Sequence, residues 1–562
     1  MLPRGAASII ATMKQQSVVR GAAIMMIATA ASRVLGYVKE KAIAYQFGST
    51  SHTDAFWAAF QVPDLLYYLL AGGALGAALI PVVTGYLVQE QADEVWRVVN
   101  TLATLMVLAV GVGVALIIVF APYLVPVAAY GFKFKPHVFE ECVFYVRIMA
   151  PMVFFTTLSA LAGGILQSHH HFTAPAAAWL MYNVGIIAGA LLLASSLGIV
   201  GLCIGVLAGA ALMVAVQAPA LARRGWRFRP ALELSHPGVR RTLILFFPLM
   251  AGLAVQQIAL LWLPGFFGSF FRNGVTILHY ANRLIILPLG LFGVSISTAA
   301  FPTLAQQFRS GQSDQFKRTL NLSLRAILLL SVPCSVGLMV LSGPIISLLW
   351  QGGAYNQGAA RASAFALTLW APALFAIAAL QVVNRGFYST QDTLTPPLVG
   401  VANVALIVGL TFALKPTPVA YGALALATSI ATVPTLAVSL LLLRRKVGPM
   451  DLRTLAISFA RVAAASSVMG AVSLWVSNTT GAMFGSPHFG FTLVAPATEG
   501  AAGGAGFAVW QAGVQVVAAI GLGAVAFLVV LRVLGAPELG LVSDTIRRRL
   551  ARRGMTGASP GA

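Results

Sequence analysis

The sequence predicts an all-α polytopic membrane protein with about fourteen transmembrane helices. Hydrophobic residues make up 59% of the 562 residues and charged residues only 9%, against roughly 25% charged residues in a soluble domain. Apolar runs of about 20 residues, the length that crosses ~30 Å of hydrocarbon, recur from end to end. A third observation, an internal repeat, indicates that these helices form two similar lobes.

Fourteen apolar segments are separated by polar connections. Their expected bounds are 21–47, 55–88, 97–120, 139–167, 173–195, 199–221, 239–268, 274–305, 318–349, 359–388, 396–413, 419–442, 455–476 and 510–533. Six prolines lie within these spans or near their ends, where proline kinks a membrane helix; they are Pro63, Pro81, Pro151, Pro288, Pro302 and Pro372. Residues 1–16 lack an apolar core, so we expect no cleavable signal peptide there. We expect residues 1–20 to form a cytoplasmic segment.

Basic residues predict the orientation of the spans, because Lys and Arg concentrate in cytoplasmic loops. Most of the 36 basic residues fall in segments on one side, including 223–241, 444–453 and the tail 547–553. The opposite loops hold only Lys133, Lys135, Arg272, Arg361 and Lys415, and the long loop 477–509 holds none. We therefore expect both termini in the cytoplasm. The net charge of +21 then reflects this topology and anionic lipid, with no nucleic acid partner.

The chain repeats itself at an offset near 221 residues. The stretch 221–224, which ends in two arginines, recurs at 442–445, and 77–81 corresponds to 298–302. Because each repeat contains six spans, the chain returns to the same side, and the two lobes are parallel, related by an axis along the membrane normal. The expected organisation is a segment 1–20, an N-lobe 21–225, a basic linker 226–238, a C-lobe 239–446, two further spans within 447–535 and a basic tail 536–562.

Charged residues inside the spans predict a polar path through the membrane. Arg33, Lys39 and Glu40 lie in the first span, and Asp54 begins the second. Arg283 lies in the eighth span. A charge at membrane depth costs about 2.5–3.5 kcal/mol on insertion scales and persists where it faces a wet cavity or a partner. The surplus of basic groups favours an anionic ligand, and arginine pairs with phosphate through two hydrogen bonds. The alternative is a set of internal ion pairs that join Arg33 to Glu40 or Asp54.

The sequence offers no catalytic or metal-binding set. We find no phosphate-binding Gly-Lys-Ser/Thr loop, no nucleophile elbow and no metal spacing among Cys142, Cys203 and Cys334, and the histidines 169–171 fall in a short connection. We therefore expect a transporter that is not an enzyme and has no cofactor. The C-lobe spans contain no Asp or Glu, so a sodium ion there would need neutral oxygens such as that of Asn403.

Several motifs resemble the MviN/MurJ family of lipid II flippases. They are Ser32-Arg33-Val34-Leu35-Gly36, Thr53-Asp54-Ala55-Phe56, Pro63-Asp64-Leu65-Leu66, Leu70-Ala71-Gly72-Gly73-Ala74, Tyr280-Ala281-Asn282-Arg283-Leu284 and the segment 386–396. The resemblance covers roughly residues 20–475. It implies the fourteen-helix fold of the multidrug/oligosaccharidyl-lipid/polysaccharide exporter superfamily, a location in the bacterial inner membrane, and a substrate site at Arg33, Lys39, Glu40, Asp54 and Arg283. At Lys39 and Glu40 the family typically shows Arg and Asp. Tyr67 stands where many members have a basic residue, and Gly72 where many have Glu.

The resemblance implies that the protein moves lipid II, a polyprenyl-pyrophosphate-linked glycopeptide, from the inner to the outer leaflet by alternating access. Two other functions stay open at this point. One is export of a different polyprenyl-linked glycan, and the other is a non-transporting scaffold of the same fold in cell-wall synthesis. The expected partners are lipid II, membrane lipids and cell-wall synthesis proteins.

Overall fold

The computed structural model describes residues 30–70, 74–89, 91–169, 171–246, 262–483, 495 and 509–535. Five sequence predictions fall wholly or partly outside these residues. They concern the segment 1–20 with the start of the first span, Gly72, half of span 239–268, the loop 477–509 and the tail 536–562.

The described residues are 86% helical and contain no strand, and their one β-bridge joins Gly352 to Tyr355. The helices of the first part of the chain are α1 (30–47), α2 (Ser51–Leu70), α3 (Ala74–Val88), α4 (Ala92–Ala128), α5 (Pro136–Met149), α6 (Met152–Ser168), α7 (Thr173–Leu192), α8 (Ala194–Leu197), α9 (Ile199–Ala222), α10 (237–246) and α11 (Leu263–Gly268). Those of the second part are α12 (Gly274–Pro288), α13 (Ser295–Arg309), α14 (Ser313–Val340), α15 (Ser342–Leu349), α16 (Gln357–Trp370), α17 (Ala373–Ser389), α18 (Thr395–Leu414), α19 (Ala423–Val447), α20 (Leu452–Met483) and α21 (Val509–Val533).

Ten helical stretches of the described residues are long and apolar enough to cross a membrane, and the bent pair α16–α17 makes an eleventh. The sequence prediction of a helical multi-pass membrane protein is therefore confirmed. The other three predicted spans, 21–47, 55–88 and 239–268, each include residues outside the described part of the chain. The count of fourteen stays a prediction.

Three of the six predicted prolines lie where the helical geometry changes, whereas Pro63, Pro81 and Pro302 lie inside continuous helices. Pro151 lies in the break between α5 and α6, and Pro372 lies in the 47° bend between α16 and α17. After Pro288 the chain continues as a π-helical turn, Leu289–Val294, before α13. A proline has no N–H to donate and crowds the preceding turn, so it favours such a change of helical geometry.

The described residues divide into two compact units. The first contains the chain up to Thr276 together with Gly352–Asn356, and the second contains Ile277–Gln351 and the chain from Gln357 onward. The lobe boundaries expected from the repeat stay a prediction.

Glycines hold α7 and α9 together in the first unit. A β-carbon on Gly189 would lie 2.6 Å from the Cα of Gly205, and Gly185 meets Gly209 in the same way one turn away. Small residues let two membrane helices approach until their backbones touch, which increases van der Waals contact where lipid provides no hydrophobic drive. This contact fixes the position of α7 relative to α9.

Candidate substrate site

The charged stretch of α1 changes from exposed to buried along the helix. Arg33 is exposed, whereas Glu40 is only 4% exposed. The ammonium of Lys39 lies 3.4 Å from a carboxylate oxygen of Glu40. Helical spacing places Arg33, Gly36 and Glu40 along one side of α1. The Arg33 guanidinium is nevertheless exposed, whereas the Glu40 carboxylate is buried. Among the described residues, Arg33 forms no ion pair with Glu40 or Asp54, so the internal-pair alternative lacks support for this arginine.

Gly36 of α1 faces Asn183 of α7 at an ordinary van der Waals distance. A β-carbon on Gly36 would lie 4.0 Å from Oδ1 of Asn183, and the Asn183 amide lies 3.5 Å from the hydroxyl of Ser32. The sequence left open whether this glycine makes room for a ligand or for a helix. The Asn183 side chain of α7 therefore lies beside Ser32 and Gly36, in the turn of α1 that contains Arg33.

Asp54 is buried and caps the start of α12. Its Oδ1 accepts hydrogen bonds from the backbone N–H of Thr276 at 2.8 Å and from the Thr276 hydroxyl at 2.7 Å. The side chain of Thr53 lies 3.2 Å from the same hydroxyl. The first N–H groups of a helix have no partner within the helix, and an acidic side chain satisfies them well. This carboxylate therefore has a structural task that the sequence did not predict.

Lys135 completes the polar cluster around Asp54. Its ammonium donates to the carbonyls of Ser269 and Phe271, at 2.9 and 2.8 Å. The Ser269 hydroxyl in turn accepts a hydrogen bond from the N–H of Gly131. Burial lowers the pKa of Lys135, and the nearby carboxylate of Asp54 opposes that shift. The sequence placed Lys135 in an outer loop but gave no signal that it joins α4–α5 to the α11–α12 turn.

Arg283 belongs to the second unit, on α12. Its Nε lies 3.4 Å from Nε2 of His279, one turn earlier on the same helix. Tyr280 and Asn282, the neighbouring motif residues, are buried. The motif thus combines buried residues that pack the interior with one partly exposed arginine. The other four predicted site residues all belong to the first unit.

The predicted basic linker 226–238 packs against the start of α4. Oδ1 of Asn100 accepts a hydrogen bond from the indole N–H of Trp226 at 3.2 Å. Arg97 pairs with Glu233 at 2.6 Å, and His236 contacts Glu94 at the same distance. The sequence did not predict these contacts, because the linker has the composition of a charged connection and its partners on α4 lie over 120 residues away in the chain.

Asp392 organises the turn before α18. It accepts hydrogen bonds from the backbone N–H of Thr395 at 2.9 Å and pairs with Lys446 of α19, also at 2.9 Å. Burial raises the pKa of Asp392, but the hydrogen bonds from Lys446 and Thr395 outweigh it and hold the pKa well below its usual range. The motif 386–396, part of the family resemblance, is thus a turn locked to the end of α19.

The described residues contain no group of His, Cys, Asp and Glu that would hold a metal ion. Asn403, the neutral oxygen donor considered for sodium, accepts a hydrogen bond from the hydroxyl of Thr435 at 2.9 Å. His169 stacks on Trp96 with ring centroids 5.9 Å apart. Tyr67 packs edge-on against Trp179, with ring centroids 6.1 Å apart.

The helical membrane fold, together with charged residues inside helices that cross the membrane, defines a multi-pass membrane transporter. The family described as "Lipid II flippase MurJ" matches residues 43–494. The chain belongs to this family, whose members are transporters and not enzymes.

Curated relatives and solved structures agree with this assignment. The chain is 31% identical to "Probable lipid II flippase MurJ" of Vibrio cholerae over 474 residues, or 81% of this chain and 88% of the relative. It is 30% identical to "Lipid II flippase MurJ" of Burkholderia cenocepacia over 374 residues, or 66% of this chain and 72% of the relative. The structure titled "Lipid II flippase MurJ, inward closed conformation" superimposes with a TM-score of 0.71 at 22% identity, covering 91% and 98% of the two chains. An inward-facing multidrug transporter of the MATE family has a TM-score of 0.63 at 13% identity, covering 73% and 94%, which shows a related fold.

Proposed function

We propose that the protein moves lipid II from the inner to the outer leaflet of the bacterial inner membrane by alternating access. The observation that carries the proposal is the family match over residues 43–494. The curated relatives that match over most of their length are named as flippases of the same lipid. An unpaired diphosphate costs many kcal/mol in bare hydrocarbon, so a protein that moves it must supply cationic groups along the path.

Arg33, Lys39, Glu40, Asp54 and Arg283 are the proposed substrate-site residues. The exposure of Arg33 and the absence of an ion pair with Glu40 or Asp54 among the described residues support a role for its guanidinium in binding phosphate. Lys39 is held beside buried Glu40, which positions its ammonium. Asp54 contributes by fixing the start of α12, the helix that carries Arg283.

The positive-inside pattern supports cytoplasmic placement of both termini. The repeat at an offset near 221 residues supports two parallel six-span lobes and the domain bounds given above. Partnership with cell-wall synthesis proteins belongs to the same proposal. The test is complementation of a strain depleted of its lipid II flippase, with lipid II accessibility at the outer surface as the readout. Growth without restored accessibility would favour the scaffold alternative. Failure with lipid II alongside success with another polyprenyl-linked glycan would favour the exporter alternative.

A further inference from the structure

An apolar pocket lies within the second unit, between α14, α17, α19 and α20, and has a volume of about 380 Å³. Every side chain that lines it is Leu, Val, Ala or Phe. This volume falls in the range of small-ligand pockets, roughly 300–1,000 Å³. A pocket with no polar lining suits a hydrocarbon chain.

Two aromatic rings line one end of the pocket. Phe375 of α17 and Phe459 of α20 both line it, and their ring centroids lie 5.3 Å apart. Leu452, at the start of α20, lines the other end. Seven residues of helix separate Phe459 from Leu452, which corresponds to about 10 Å. The pocket therefore extends along α20 over about two helical turns.

The side of the pocket opens at α19. Val433 and Leu441 line it and remain 42% and 51% exposed. Large apolar side chains on a membrane helix face lipid when they are not covered by protein. The occupant can therefore enter sideways from the bilayer.

Arginines follow the pocket lining at the end that contains Leu452. Arg444 and Arg445 come four residues after the lining residues Leu440 and Leu441, hence on the same face of α19. Both arginines are exposed, and among the described residues no carboxylate pairs with either. Lys446, the next residue, forms an ion pair with Asp392.

Two more arginines lie at this end, on the other helices. Arg325 precedes the lining residue Leu328 by three positions on α14, and Arg453 follows Leu452 on α20. Asp451 lies near both: a hydrogen bond from Thr454 lowers its pKa most, and Arg325 and Arg453 lower it further. Asn321 of α14 donates to the Asp451 carbonyl at 2.9 Å, which ties the two helix ends together. The five basic groups at this end, Lys446 included, thus outnumber the two carboxylates Asp451 and Asp392.

We propose that this pocket binds one acyl chain of an anionic phospholipid, whose phosphate lies against Arg444 and Arg445. The apolar pocket selects a hydrocarbon chain, and the arginines at one end select a negative headgroup. Under the orientation proposed above, this end is cytoplasmic, so the lipid comes from the inner leaflet. The site is separate from the proposed flipping of lipid II and does not depend on it.

The test is native mass spectrometry of the full-length protein in detergent, titrated with dioleoyl phosphatidylglycerol or dioleoyl phosphatidylcholine. We expect one tight site for the anionic lipid. The double variant Arg444→Gln/Arg445→Gln should weaken that site about 30-fold, the effect of two arginines near an anionic lipid surface. Ala437→Phe, which places a ring in the pocket, should abolish the site while leaving the arginines in place.

The repeat supplies a matched control. Arg223 and Arg224 end α9 at the position that corresponds to Arg444 and Arg445, and Arg223→Gln/Arg224→Gln should leave the tight site unchanged. Ala218→Phe on the exposed side of α9 controls for Ala437→Phe. Thermal unfolding checks that each variant is folded. Equal binding of phosphatidylcholine, or equal loss in the control variants, would overturn the proposal. So would displacement of the anionic lipid by an equimolar polyprenyl pyrophosphate, because the pocket would then hold a substrate tail.

Discussion

Replacing Asp54 by Ala tests whether this carboxylate is needed for the fold. The substitution removes the acceptor of both hydrogen bonds from Thr276, at 2.8 and 2.7 Å, in a site that is 2% exposed. A buried donor left without a partner costs about 1–3 kcal/mol. The Thr276 hydroxyl keeps its contact with Thr53, so the backbone N–H bears most of the loss. We expect Asp54→Ala to destabilise the protein by about 1–3 kcal/mol.

Asp54→Asn should cost much less, because an amide oxygen can still accept both hydrogen bonds. The assay is thermal unfolding of the purified protein in detergent, followed by tryptophan fluorescence, with Asp93→Ala as the control. Asp93 is an exposed carboxylate on α4, and its loss should leave the unfolding midpoint unchanged. The reasoning would be refuted if Asp54→Ala unfolded at the wild-type temperature, or if Asp54→Asn were as unstable as Asp54→Ala.

Three further outcomes are expected. Arg33→Ala and Arg283→Ala should each abolish flipping in the outer-surface accessibility assay while the protein still inserts, because each removes a phosphate-pairing group whose charged hydrogen bonds contribute about 1.5–3 kcal/mol. The Lys variants should retain part of the flipping activity. Full activity of both Ala variants would contradict the proposed substrate site. Asp392→Asn should lower the unfolding temperature at neutral pH by removing the pairing with Lys446. The pKa of Asp392 is lower in the folded than in the unfolded protein, so its stabilisation is fully present above the unfolded pKa of ~3.9 and is lost progressively as the pH falls from there toward the folded pKa. The gap between the two unfolding curves should therefore narrow steadily below about pH 4, and a gap that stays constant as the pH is lowered further would count against the ion pair. Dissipating the membrane potential should stop flipping, because the potential draws a basic site without bound lipid inward by about 2.3 kcal/mol per charge per 100 mV. Replacing sodium by potassium at constant potential should leave flipping unchanged. Loss of flipping on sodium removal alone would reveal a cation site.

The sequence alone determined the class of protein. Apolar runs of membrane length, depletion of charge and the position of basic residues follow from transfer of side chains into hydrocarbon, which acts on each segment separately. The motifs around Arg33, Asp54 and Arg283 likewise sufficed for the family, which the match over residues 43–494 then showed. Local composition was enough because each of these signals is contained within one segment.

Only the tertiary structure decided what each polar side chain contacts. Asp54 was predicted as a site residue, yet its Oδ1 caps α12 through Thr276, 222 residues later in the chain. The pocket between α14, α17, α19 and α20 is likewise invisible in the sequence, because its leucines and alanines look like any lipid-facing residues. Such contacts depend on how helices that are distant in the chain pack together, and hydropathy specifies that a helix is buried without specifying its neighbour.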